Sequence, residues 1–489
     1  MKKFCAYLKS LRARTIVSWI GIVLVMLLCV NVGGARNQIG MTVVSGLLFA
    51  VGVYLLLERE EAKKDRVNTA ALIVFLCPLL LFLLFTIVSF FWMSMGMSTL
   101  IINLLSALGV IGAFIFGKEI KNDEKLPKHV FIYAIIVGLA FLSLSNLIAS
   151  LADYGFFYLT RYKGMVYFAD GVKKTITDEM AILDGFSVAY VSPEYGTLPS
   201  FILAASLCAL FFLKPKEDKI LFWFIAVGGS IGLLNLVLLC NVYALIVLIP
   251  VLIVALLFRF LKLPSPAPLW ERIVSLVMLA MVVALVVFIV VVAAKGNNIY
   301  ASSKLLSKIF NNGKLLKGIN QTVNAVFQKG FLSFPSFFGM PVYGEMSKFN
   351  DLFTITSSTL TASSWDGSQA YWTSFNLHTF EFSALMEGGI ICFFMLCLFM
   401  VSLFPLFRRY VRDGENIQGS RYFFLSLVLA YFLYQSLFSD ALPFLGASNY
   451  VSPFVLNPYF ILVIAIIGYV YTPSPFLLKK LSKGGRIHA

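Results

Sequence analysis

Twelve apolar runs recur along the chain, all but one of them about twenty residues long and so able to cross a hydrocarbon core about 30 Å thick. They fall at about 15–33, 40–57, 70–92, 98–117, 129–149, 200–213, 220–239, 242–260, 273–294, 383–405, 422–439 and 454–472. The run at 200–213 is short and begins inside the preceding link. Composition agrees, with 60% hydrophobic and only 13% charged residues, a balance that belongs to polytopic membrane proteins. A helical membrane bundle of 489 residues forms one unit, whatever length alone would suggest. The expected fold class is therefore an all-α polytopic membrane protein. It is a single integral membrane domain (1–489) of about 12 transmembrane helices, with a large external loop between helices 9 and 10.

The links alternate in character. Arg59–Arg66, Lys118–Lys128, Lys214–Lys219, Arg259–Arg272 and Arg408–Arg421 are basic, whereas Gly33–Gln38 and Ser94–Met97 carry little charge. Basic links mark the cytoplasmic side. About 27 of the 39 Lys and Arg then fall inside, and both termini, including Lys479–Arg486, are cytoplasmic. The net charge of +15 is thus spent on orientation, and no nucleic-acid partner is implied. Met1–Arg14 and the run after it lack a small-residue cleavage site and read as an uncleaved first helix. The seven cysteines lie in or beside apolar runs or in the N-terminus, so neither disulfides nor a cysteine metal site is indicated.

Two external loops exceed simple turns. The first, 151–199, carries Arg161, Lys163, Lys173 and Lys174 among aromatics. The second, 295–382, carries Lys304, Lys308, Lys314, Lys317, Lys329 and Lys348, and Ser302–Phe327 spaces its apolar residues as an amphipathic helix on the outer leaflet would. Phosphate loops, HExxH, paired-cysteine metal sites and Gly-x-Ser-x-Gly elbows are all missing.

His378 is the one histidine of three placed on the outer face, just before an apolar run. It has two readings: a base or orienting donor for an attacking hydroxyl, or an interfacial histidine with a hydrogen-bond partner. Glu381, three residues on, either orients that imidazole or serves as a charge favoured at a helix start. Glu387 falls inside the apolar run, where a carboxylate faces a polar interior. Arg161 and Lys163 suit either a lipid diphosphate or anionic headgroups. Trp365, Tyr371 and Trp372 suit either sugar stacking or an interfacial belt.

Together, twelve spans, the long loop after the ninth, Phe334-Pro335…Phe338-Gly339…Gly344 within it, His378, and Glu387-Gly388-Gly389-Ile390 resemble one superfamily. It is that of the O-antigen ligases and the O-antigen and capsular polysaccharide polymerases. The topology of the whole chain shares in the likeness, while the motifs occupy about 60 residues. The resemblance implies a GT-C-like glycosyltransferase of the bacterial plasma membrane, using no cofactor and no metal. The donor would be a polyprenyl-diphosphate-linked oligosaccharide and the acceptor a sugar hydroxyl, with inversion at the anomeric carbon. His378 would be the functional histidine, with Glu381 and Glu387 beside it. Arg161 and Lys163 would bind the diphosphate, and Trp365, Tyr371 and Trp372 the sugars. The lipid bilayer and other polysaccharide assembly proteins would be its partners.

The chain departs from the family in two places. It has His378-Thr379 where members often have His-Asn, and Cys240-Asn241-Val242-Tyr243-Ala244 where they often carry Ser-Arg-Gly. Polymerase is the expected activity, with a ligase as the near alternative. A lipid-linked oligosaccharide flippase and a non-catalytic assembly partner are alternatives of other classes.

Overall fold

A computed structural model of the chain describes residues 13–30, 38–58, 66–91, 97–121, 123–154, 164–167, 173–176, 193–213, 218–238, 248–253, 380–413, 418–438 and 458–473. Among these the chain is helical but for one small hairpin. The helices are α1 (Ala13–Cys29), α2 (Gln38–Leu57), α3 (Arg66–Phe91), α4 (Met97–Ile120) and α5 (Val130–Tyr154), then α6 (Pro193–Ala205), α7 (Lys219–Leu238), α8 (Phe380–Asp413), α9 (Gln418–Phe438) and α10 (Pro458–Val470). A helix therefore occupies ten of the expected apolar runs. The run at 242–260 is described only at 248–253, where it is helical, and the run at 273–294 lies outside the described residues. Lys219–Val237 and Ile391–Tyr410 are long and apolar enough to cross a membrane by length and composition.

The sixth run begins earlier than its apolar stretch. Helix α6 starts at Pro193, a residue suited to the first helical position, and a 3-10 segment, Ser206–Phe211, continues it. Thirteen α-helical residues and six 3-10 residues rise about 20 Å and about 12 Å, together close to one hydrocarbon thickness.

Burial separates the helices into two kinds. Every residue of α10 except Tyr469 is buried, as expected of a helix apolar all round. Outer helices bury one apolar face and expose another. On α5 the exposed stripe is Val137, Phe141 (62%), Leu144 and Ile148, and on α8 it is Phe394, Leu398, Val401 (69%) and Phe404. Helix α7 exposes Ile220 (65%), Trp223, Phe224 and Val227. A water-facing bundle would put polar residues on those stripes; apolar patches of this extent mark contact with something apolar.

Small residues set the closest helix pairs. Among the described helices α2 packs along α4 more extensively than any other pair, and α4 also packs along α10. A Cβ at Gly52 would lie 2.6 Å from the Gly112 carbonyl oxygen, and a Cβ at Gly112 would strike the Phe49 backbone. On its other side α4 meets α10, where a Cβ at Gly117 would collide with the Ala465 carbonyl. Close backbone approach of this kind is how helices associate when lipid is as apolar as their own side chains.

Cross-helix contacts fix the direction of every helix. Arg14 (α1) meets Glu119 (α4) at 3.4 Å, and His129, in the turn before α5, lies 3.3 Å from Asp218, just before α7. Phe212, after the 3-10 segment, stacks on Tyr422 of α9 at 3.7 Å, and Arg409 of α8 donates to the Thr472 carbonyl after α10 at 3.3 Å. One end of the bundle thus collects the starts of α1, α5, α7 and α9 and the finishes of α4, α6, α8 and α10. Helix α2 runs parallel to α4, since Ser45 faces Gly109 and Gly52 faces Gly112. Phe75 near Tyr471 and Phe82 near Phe460 place the start of α3 at the same end. The described helices alternate in direction, and the basic links Arg59–Arg66, Lys118–Lys128, Lys214–Lys219 and Arg408–Arg421 join helix ends that share this side.

Candidate functional site

At the end opposite the basic links α5 finishes and α6 and α8 begin. Helix α8 opens there at Phe380, with Glu381 its second residue and Glu387 its eighth. Six residues separate the two glutamates, about 9 Å of rise and about one and two-thirds turns, so their backbone positions fall on different faces of the helix. Glu381 stands in the first turn, where the helix dipole favours an acid. Deeper in, the Cys392 thiol donates to the Phe82 carbonyl of α3 at 3.9 Å, and α8 runs along α3 from there. His378, Trp365, Tyr371 and Trp372 lie outside the described residues, as does the expected amphipathic segment 302–327. The one-turn relation between His378 and Glu381 is therefore outside them too, since α8 begins two residues after His378.

Helix ends fall within 151–199, the range expected to be the first external loop. Helix α5 continues to Tyr154 and α6 starts at Pro193, leaving 155–192 between them. Within it, strands β1 (Gly164–Tyr167) and β2 (Lys173–Ile176) pair antiparallel, with Met165 opposite Thr175 and Val166 opposite Lys174. Val, Tyr, Thr and Ile favour strand, and the intervening Phe168–Val172 contains Asp170-Gly171, a turn dipeptide. That signal was available in the sequence, although the segment reads there only as a loop. Arg161 and Lys163 lie outside the described residues. Lys163 immediately precedes β1, whereas Lys173 and Lys174 open β2 at the other end of the hairpin.

Beneath this segment lies a polar cluster that no sequence pattern announced. Ser143 of α5, Ser200 of α6 and Asn235 of α7 are fully buried. The Ser200 hydroxyl donates to Ser143 Oγ at 3.0 Å, and Asn235 Nδ2 donates to Ser200 Oγ at 2.6 Å. Asn235 Oδ1 has no partner among the described residues. Isolated Ser and Asn in apolar runs carry no periodicity, which is why only the packed structure brings them together.

Ionisable groups gather at the basic end. The Glu119 side chain is fully buried against Arg14, whose guanidinium also reaches the Glu119 carbonyl at 3.5 Å. Asp123 accepts from Ser18 at 2.9 Å, from Thr15 at 3.4 Å and from the Lys125 amide at 3.2 Å, tying α1 to the turn before α5. Asp218 caps α7 by accepting from the Leu221 amide at 3.0 Å. Its other oxygen faces His129 Nε2 outside hydrogen-bonding direction, so that contact is electrostatic. His129 sits at φ 63°, a left-handed conformation few non-glycine residues adopt. Burial pushes its imidazole below the ordinary 6.5, Asp218 opposes the shift, and Lys128 adds to it. His129 reads as incidental in the sequence, but it braces two turns. No group of three or more His, Cys, Asp or Glu gathers to hold a metal ion among the described residues.

Compared with known proteins, the chain matches no family model and no curated sequence.

Proposed function

We propose that the chain is a multi-pass glycosyltransferase of the bacterial plasma membrane that polymerises polyprenyl-diphosphate-linked oligosaccharide units at the outer face. The observation that carries this reading is Glu387-Gly388-Gly389-Ile390 in the opening turns of a long apolar helix that begins two residues after His378 in the sequence. The apolar stripes facing outward on α5, α7 and α8 support a lipid-clad bundle. The basic links on one side support cytoplasmic termini. Helix α7 finishes and α8 starts at the opposite end, as two further crossings at 242–260 and 273–294 would require, giving twelve in all.

In this reading His378 takes the proton of the acceptor hydroxyl as its oxygen bonds to the anomeric carbon. The bond from that carbon to the diphosphate oxygen breaks on the opposite face, so configuration inverts. Arg161 and Lys163 balance the charge left on the diphosphate, a role open to preorganised cations without a metal. Glu381 and Glu387 orient the imidazole and hold a polar interior, and Trp365, Tyr371 and Trp372 stack on sugar faces.

Polysaccharide length in cells carrying wild type or His378→Ala, at equal membrane abundance, tests the proposal. Loss of long polymer with single lipid-linked units accumulating is the expected result. Retained polymer that fails to reach its final acceptor would indicate a ligase. An unchanged ladder would remove His378 from the chemistry. The second reading, a non-catalytic assembly partner, draws on Cys240-Asn241-Val242-Tyr243-Ala244, which lacks the arginine that members of the resembling family often carry.

A further inference from the structure

The turn that carries His129 is held in a conformation its own chemistry does not favour. His129 sits at φ 63°, a left-handed setting that strains a residue with a Cβ and persists only while its surroundings enforce it. Part of what enforces it lies on another helix: the side chain is 5% exposed, with Nε2 3.3 Å from Asp218 Oδ2. This contact joins the turn before α5 to the residue before α7. The carboxylate's other oxygen caps α7 through the Leu221 amide. Each helix start is complete without the contact between the two side chains. The Tyr133 amide donates to the His129 carbonyl at 3.0 Å and the Phe222 amide to the Asp218 carbonyl at 3.1 Å, so α5 and α7 keep their first turns if those side chains part.

Histidine is the side chain whose charge changes near neutral pH. While neutral, the ring fills the space between the two turns. Once protonated it is a buried cation whose Nε2 stands outside hydrogen-bonding direction, so it gains only the attraction of Asp218. Lost hydration and the repulsion of Lys128 oppose that gain, and burial is the largest of the three effects. Return of φ to an ordinary value relieves the strain as well. Helix α5 packs on α7, α1 and α6, whose charges at this end are engaged or exposed among the described residues. Arg14 of α1 is held by Glu119, Lys219 of α7 is exposed, and α6 leads into the apolar Phe212 and Leu213. In the turn itself Asp123 is bound by Ser18 and Thr15, while Glu124 and Lys125 are exposed.

We propose that His129 and Asp218 form an acid-released clasp: a proton taken from solvent onto the imidazole parts the turn before α5 from the start of α7, and its return to solvent lets them close. The motion is confined to the helix ends, because further in Tyr133 of α5 rests against Phe224 of α7, with ring centroids 4.7 Å apart. The clasp depends on the described fold alone and holds whatever reaction the chain performs.

Spin labels on Lys125→Cys and Lys219→Cys, both exposed positions, report the separation of the two turns in the full chain, with its native cysteines replaced and set in lipid nanodiscs. A longer separation should appear as pH falls from 7.5 to 5.5. Its ratio to the short one should rise by up to about tenfold, the ceiling that one proton sets over that range when the opened imidazole titrates at its ordinary 6.5. His129→Asn should abolish the response, since asparagine accepts a left-handed φ and binds no proton there. A separation that stays constant with pH overturns the proposal, and so does one that shortens in acid, which would mean the charged pair tightens. A response retained in His129→Asn sinks it too, because another group would then carry the titration. If His129→Asn does not assemble, Asp218→Asn replaces it: the α7 cap is kept while the charge opposing release is lost. The long separation should then gain at pH 5.5, and an unchanged ratio refutes the clasp.

Discussion

Two glycines on one helix provide a matched pair for testing how this bundle is held together. Gly46 and Gly52 are both interior to α2, yet a Cβ at Gly46 meets nothing within 4 Å, whereas one at Gly52 falls 2.6 Å from the Gly112 carbonyl oxygen. Alanine at either position gains helix propensity, about 0.8–1.0 kcal/mol relative to glycine. At Gly46 nothing opposes that gain. At Gly52 the obstructing atoms are all Gly112 backbone, which cannot rotate away, so α2 and α4 must part by about 0.8 Å to restore an ordinary 3.4 Å contact. Overpacking of this kind costs about 1–3 kcal/mol, and here it loosens the most extensive helix pair. Gly46→Ala should therefore be neutral to stabilising. Gly52→Ala should be destabilised by up to about 2 kcal/mol net, a gap of about 1–3 kcal/mol between single-methyl variants. Heating in detergent at a fixed scan rate, read by size-exclusion of the surviving protein, ranks the two without requiring reversibility. A Gly52→Ala midpoint at or above that of Gly46→Ala would refute close α2–α4 packing as the source of stability.

Other perturbations probe the basic end. Arg14→Met leaves the buried Glu119 carboxylate without that partner and should cost about 1–3 kcal/mol in the same assay; Arg14→Met with Glu119→Leu should recover much of it. Asp218→Ala removes the α7 cap and should cost about 1 kcal/mol, with hydrogen exchange rising first at the Leu221 amide. Because the folded His129 imidazole binds its proton less readily than an unfolded one at 6.5, unfolding takes up a proton just below that pH. Stability should fall as pH drops through 6.5 toward the lowered folded value, and His129→Gln should flatten that part of the profile in melts between pH 7.5 and 5.5.

Helix positions were legible because length and apolarity are additive along a run, and the described helices fall where those runs predict. What failed at residue level failed for physical reasons. Pro193-Glu194-Tyr195-Gly196 contains two residues that usually break helices, so the sixth helix reads as beginning late, although proline is well placed at a helix start. Asp170-Gly171 between strand-favouring residues did signal a hairpin, but its neighbours carry too little alternation to stand out in a long link. His129 offered nothing in sequence to connect it with Asp218, because the contact spans two links and depends on a left-handed turn. Of the candidate site, the sequence gives the residue types and their order. Glu381 and Glu387 have helix positions, and the rest of that set lies outside the described residues.

A bundle apolar both inside and out cannot be specified by hydrophobicity alone, because an outward face and an inward face would serve equally well. Something else must decide which face of each helix turns inward. On α4 it is Gly109, Gly112 and Gly117, which let α2 and α10 approach where any side chain would exclude them. On α7 it is Gly232 and Asn235, which make one face both close-fitting and hydrogen-bonded. At the basic end, Arg14 with Glu119, Ser18 with Asp123 and His129 with Asp218 fix the heights of the helices they join. The few polar and small residues therefore carry the architecture, and the many apolar ones supply its bulk. It follows that a substitution from leucine to valine on an exposed stripe should be tolerated almost anywhere, whereas adding one methyl at Gly117 or removing one hydroxyl at Ser200 should not.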